Sequence, residues 1–196
     1  MFVESVTHNL KNLGNFRGRQ SQGKFWPYAG VVLIVSMFGT VVMMMPEFEA
    51  TMMRMQRFAV EHPESATIEQ GPGSYSITIH GYHPELVPDF GRMLGSMAPT
   101  LIFMLVFLAA AVARRLHDRG KTALWALAPI PFLVIGGVGM TFLLARAPTD
   151  LDAFLPLFLA LFTNNVVYLA SLVYLVILLA GGSAKGENRF GAQPVS

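Results

Sequence analysis

The run Arg114-Arg115-Leu116-His117-Asp118-Arg119-Gly120-Lys121-Thr122 gathers four cations, a histidine and an aspartate between two long apolar stretches. Guanidinium forks of this kind match the oxygens of a phosphate or a carboxylate two at a time. A histidine beside an aspartate has the composition of a base with its orienting acid. Neighbours in sequence rarely face each other on a helix, however, and the chain has no cysteine and no G-x-S-x-G elbow. No residue is therefore assigned a catalytic role, and a membrane-embedded hydrolase or transferase is the weakest reading. Walker-type and dinucleotide-binding glycine loops are also absent from the sequence.

The elements that hold this run are set by composition. Of 196 residues, 53% are hydrophobic and only 13% charged, against about 25% charged in soluble domains. Mean hydropathy is +0.49. Four apolar stretches approach or exceed the roughly 20 residues that cross a bilayer as a helix: about 25–45, 94–113, 123–145 and 153–180. None contains Asp, Glu, Lys, Arg or His. The first is too long for a signal peptide and is followed by Met43-Met44-Met45-Pro46 rather than a cleavage site, so it is read as retained. Ten of the fourteen Lys and Arg residues fall on one side: Lys11, Arg17, Arg19, Lys24, Arg114, Arg115, Arg119, Lys121, Lys185 and Arg189. Arg54, Arg57, Arg92 and Arg146 fall on the other, with most of the acids. The positive-inside rule puts both termini in the cytoplasm. The expected fold is an all-α integral membrane protein. It has a cytoplasmic N-terminal tail (1–24), a four-helix membrane domain (25–181) and a cytoplasmic C-terminal tail (182–196).

The third span carries Pro129, Pro131 and Gly136-Gly137-Val138-Gly139, which predict a kink and close packing. The fourth carries Asn164-Asn165 near its middle. Such intramembrane amides bond to a neighbouring helix or mark a break in their own. Residues 46–92 form the outer insert. Pro46, Glu47 and Glu49 followed by Phe48, Met52, Met55 and Phe58 predict an amphipathic helix that ends before His62-Pro63. Ile68 and the alternating Tyr75, Ile77 and Ile79 around Gly71-Pro72-Gly73 predict a short hairpin resting on that helix. His62, His80 and His83 have no fixed spacing on one element, and the Met43-to-Met55 cluster fits apolar packing better than copper(I). No metal or other cofactor is expected.

Three motifs face the basic side. Phe16-Arg17-Gly18-Arg19-Gln20-Ser21 leads into Phe25-Trp26, the central run follows the second span, and Gly186-Glu187-Asn188-Arg189-Phe190-Gly191 follows the last. Together they resemble the small bacterial inner-membrane family catalogued as domain of unknown function 805, with its F-x-G-R-x-S-R-x-x-F-W entry, R-R-L-H-D-x-G turn and G-x-N-R-[FY]-G tail. Phe16, Gly18, Arg19, Ser21, Phe25 and Trp26 match the first, Arg114 to Asp118 with Gly120 the second, and Gly186, Asn188, Arg189, Phe190 and Gly191 the third. Gln22, Thr122-Ala123 and Gln193 depart from the family's usual residues, and the outer segment is longer than in compact members. The resemblance implies a bacterial inner-membrane location and brings no activity.

The resulting expectation is a non-enzymatic membrane protein. In it Arg19, Arg114, Arg115, His117, Asp118, Asn188 and Arg189 form a cytoplasmic clasp that holds an anionic lipid headgroup, a ligand or a protein partner. Its partners are the bilayer, anionic headgroups, and a second copy or another membrane protein, and not nucleic acid. The alternative is a small oligomeric transporter or channel, with Asn164, Asn165 and the prolines of the third span lining a broken-helix path.

Overall fold

The computed structural model describes residues 2–146 and 151–194. The connection between the third and fourth predicted spans (147–150) and the last two residues of the tail lie outside the described residues. Helices α1 (Phe2–Lys11), α2 (Gln22–Glu61), α3 (Phe90–Asp118), α4 (Ile130–Arg146) and α5 (Leu151–Ala180) are joined by one hairpin, β1 (Ala66–Gly71) and β2 (Ser74–Ile79). A 3₁₀ turn, Ala123–Leu127, precedes α4. Four helical stretches are long and apolar enough to cross a membrane: Gln22–Glu61, Pro84–Asp118, Ala123–Leu144 and Asp152–Ala180. The chain divides into two compact units, Met1–Met37 with Thr100–Ser196, and Phe38–Pro99.

The first unit has its core at one end of the helices. Phe25, Tyr28, Ala29 and Val32 form an i, i+3, i+4, i+7 stripe on α2 and are buried with Ala111 and Leu116 of α3 and Leu178 and Leu179 of α5. The Tyr28 hydroxyl donates to the Phe107 carbonyl at 2.7 Å. Other apolar side chains of the same helices, such as Leu33, Ile34, Ile102 and Val173, point outward and are exposed, as does Phe142 of α4. Surfaces this apolar on every helix match a hydrocarbon solvent rather than water. Helices α4 and α5 meet through small residues. A Cβ on Gly136 would lie 3.1 Å from the Asn164 amide nitrogen, and one on Gly139 would run into Leu161.

Several expectations change. The predicted amphipathic helix is not separate, because α2 runs unbroken through Pro46 to Glu61 and stops before His62-Pro63. Proline forfeits its own N–H bond and crowds the carbonyl four residues back, and a long membrane helix tolerates this at one turn. Helix α5 is likewise continuous through Asn164-Asn165, so the fourth span has no break. The kink expected in the third span lies at Ala128-Pro129, where the 3₁₀ turn gives way to α4, with Pro131 in the first turn of that helix. Thr122 is extended there but makes no side-chain cap. The hairpin forms with Ala66 opposite Ile79 and Gly71 opposite Ser74, and Gly73 takes the left-handed φ of +81° in its turn. Its strands are mostly exposed. The ring resting on the helix belongs to His83, just beyond the hairpin, which packs at a tilt on buried Phe58 with 4.4 Å between centroids. Helix α1 was not anticipated. It buries the polar Ser5 and Asn9 and exposes Phe2, Val3 and Leu10, the reverse of the pattern by which a helix is usually read.

Candidate functional site

Helix α3 ends in the motif its sequence specifies. Gly120 adopts φ +69°. The Lys121 N–H donates to the Leu116 carbonyl and the Gly120 N–H to the His117 carbonyl, both at 2.9 Å. This is a Schellman cap, and glycine takes its left-handed position without a Cβ penalty. The cap stops the helix where Arg114, Arg115 and Asp118 are still on its last turns and buried.

Asp118 is the centre. Its side chain is fully buried and accepts from Arg19 Nε at 3.1 Å, from Arg115 Nη1, and from the Ser183 hydroxyl at 2.5 Å. Its backbone carbonyl accepts from the Ala184 N–H at 3.0 Å. One carboxylate thus joins the entry segment, the end of α3 and the C-terminal tail. Sequence spacing offered Asp118 either Arg114 or Arg115; it pairs with Arg115 and with Arg19, whose position ninety-nine residues away spacing rules do not reach.

The arginines divide the work. Beyond Asp118, Arg19 donates to the carbonyls of Gly186 and Ala184 at 2.6 Å each and of Gly191 at 3.2 Å. Arg115 reaches the carbonyls of Leu179 at 2.9 Å and of Gly181, which α5 leaves open at its C-terminus. Gln22 donates to the Ala180 and Gly181 carbonyls, and Arg119 to that of Gly182. The end of α5, which has no basic residue in its own last turn, is capped by side chains from α2 and α3. Arg114 turns the other way. It donates to Gln20 Oε1 at 3.0 Å, Asn9 Oδ1 at 2.8 Å, and the carbonyls of Asn12 at 2.9 Å and Asn15. Asn9 and Ser5 in turn donate to the Lys24 carbonyl at 2.9 Å and 2.7 Å, so α1 is held against the start of α2. These forks are spent on oxygens of the chain itself.

His117 and Asp118 do not bond to each other. The His117 ring stacks flat on Phe190, 3.9 Å between centroids and 8° from parallel, with its Nδ1 3.3 Å from the Gly18 carbonyl. Arg189 covers the Phe190 ring at 4.7 Å and makes no ion pair among the described residues. Asn188 donates to the His117 carbonyl at 3.0 Å and accepts from the Phe190 N–H at 2.9 Å, closing the tail turn. Burial holds the His117 imidazole below its usual range; the Gly18 bond opposes this, and the charge of Arg189 adds a smaller push downward. All seven predicted clasp residues therefore lie together at one end of the unit, with Arg189 on its rim. Ser5, Asn9, Gln20, Gln22, Arg119 and Ser183 were missed. Their only sequence signal was nearness to the motifs, because polar residues in a tail read as solvated.

The intramembrane amides separate. Asn164 donates to the Phe132 carbonyl of α4 at 2.9 Å, whereas Asn165 is more exposed and only its Oδ1 comes near α4, at Gly136. In the outer unit, His62 pairs with Glu64, His80 with Thr67 and His83 with Glu85. No group of three potential metal ligands converges among the described residues.

The family comparison fits this arrangement. The model described as "Protein of unknown function (DUF805)" matches residues 13–192, nearly the whole chain and all three motifs. The chain belongs to the DUF805 family. No match was found among curated proteins or solved structures. In this DUF805 chain, Gln22 is one of the side chains closing α5.

Proposed function

We propose that this DUF805 protein is a non-enzymatic, multi-pass protein of a bacterial inner membrane. Both termini are cytoplasmic, and a buried arginine clasp ties the ends of α2, α3 and α5 to the two tails. The observation that carries this reading is the fully buried Asp118 carboxylate shared by Arg19, Arg115 and Ser183. Two guanidiniums on one carboxylate, with their remaining donors on backbone carbonyls, make a joint; a ligand there competes with bonds already made. Orientation is supported by the excess of Lys and Arg on the clasp side. The family resemblance supports the bacterial location.

The chain has no cysteine, so single cysteines report sidedness directly. In inside-out vesicles Lys185→Cys reacts with a membrane-impermeant maleimide and Glu69→Cys does not; in intact spheroplasts the pattern reverses. Labelling of both from the same side sinks the four-span reading. The transporter alternative gains no support from the geometry, because α5 is unbroken and Asn164 is already bonded to α4.

A further inference from the structure

Beside the clasp, α3, the 3₁₀ turn with the start of α4, and α5 enclose a groove of about 420 Å³ lined almost wholly by apolar side chains. Its α3 wall runs from Met104 to Ala113, about 14 Å at 1.5 Å per residue. That length is close to one leaflet, half of the roughly 30 Å hydrocarbon core. The small Ala109 and Ala113 leave the space, and the offset of the 3₁₀ turn from α4 at Pro129 opens it. A hydrocarbon chain of that length matches a lining made of aliphatic side chains with Phe16 and Tyr168.

Charge at the mouth gives the occupant its sign. Phe16 lines the clasp end of the groove and is followed by Arg17; Ala123 lines the facing wall two residues after Lys121. Both cations are exposed, and neither makes an ion pair among the described residues. The nearest acid in sequence, Asp118, is buried and already neutralised by Arg19 and Arg115. The buried arginines are occupied by carbonyls and Arg189 lies over Phe190, so the exposed cations nearest in sequence to the groove lining, Arg17 and Lys121, are the ones to meet a phosphate. We infer that the groove binds one acyl chain of an anionic glycerophospholipid, with the headgroup phosphate held between Arg17 and Lys121. This rests on the membrane reading above.

Trp125 lies between two groove-lining residues, Leu124 and Ala126, and packs on Tyr174 at 5.3 Å, which makes it the reporter. In a Trp26→Phe background it is the only tryptophan. The protein is reconstituted into phosphatidylcholine vesicles, and brominated phosphatidylglycerol or brominated phosphatidylcholine is titrated in. Two cations close to the headgroup predict roughly tenfold preference for phosphatidylglycerol in quenching Trp125, falling as salt rises. Arg17→Gln with Lys121→Gln abolishes the preference while general quenching persists. Ala109→Phe, which fills the groove, lowers quenching by both lipids. Equal quenching by the two lipids in the unaltered groove, or a preference that survives the double substitution, overturns the proposal and leaves the membrane reading intact. No quenching by either lipid overturns both.

Discussion

At the residue scale the clasp is a saturated ion pair rather than an open binding site. Asp118→Asn keeps the shape and removes the counter-charge of two buried guanidiniums. Breaking a buried pair in this way costs about 3–5 kcal/mol. Thermal unfolding in mild detergent should show a large loss, and Arg115→Lys a comparable one, because a single ammonium cannot reach Asp118, Leu179 and Gly181 together. Arg189→Gln on the rim should stay close to wild type; an equal loss there contradicts this division. His117 gives the clasp a pH dependence. Its folded imidazole is held below its ordinary value of about 6.5 mainly by burial. The neutral form is the one the folded state prefers, so its contribution is full above that pH and is lost as pH falls through and below it. His8 is shifted the same way by burial and by Lys24 and Arg114. Melting curves from pH 8 to 5 should decline, and His117→Gln should decline less steeply.

At the element scale, helix ends and helix contacts decide the geometry. Gly120→Ala places a Cβ at φ +69°, which costs about 1–2 kcal/mol, and it loosens the cap that stops α3 beneath the clasp. Asn164 and Asn165 are neighbours with different fates. Asn164→Leu removes the bond to the Phe132 carbonyl, and interhelical bonds of this kind are worth about 0.6–2 kcal/mol. Asn165→Leu removes a more exposed amide whose Oδ1 only lies near Gly136, and should cost less than Asn164→Leu. Denaturation of the two variants side by side checks the asymmetry; equal losses would show that both amides face α4. Spacing alone placed the two together because it assigns residues to a helix and not to a neighbour.

At the scale of the whole molecule, the clasp makes the two tails part of the helical unit. Removing residues 183–196 takes away Ser183 and the carbonyls of Ala184, Gly186 and Gly191, leaving Arg19 buried beside Asp118 with most of its acceptors gone. The truncated chain should still insert, since its four apolar helices remain, but it should unfold at markedly lower temperature or detergent challenge. Insertion and stability are separable in this fold, and that separation is also the division between sequence and structure. Composition and apolar run length determined that there are four membrane-length helices, because a bilayer accepts only segments that satisfy their own backbone. The Arg-Arg-Leu-His-Asp-Arg-Gly order determined where α3 stops, because a left-handed cap calls for glycine locally. Which arginine meets Asp118, that Arg114 serves α1 and Arg115 serves α5, and that α2 and α5 pass unbroken through Pro46 and Asn164-Asn165 were decided only by tertiary structure. Arg19 meets Asp118, Arg114 meets Asn9, and Arg115 meets Leu179 and Gly181 across scores of residues, where oxygens await donors that local spacing does not identify.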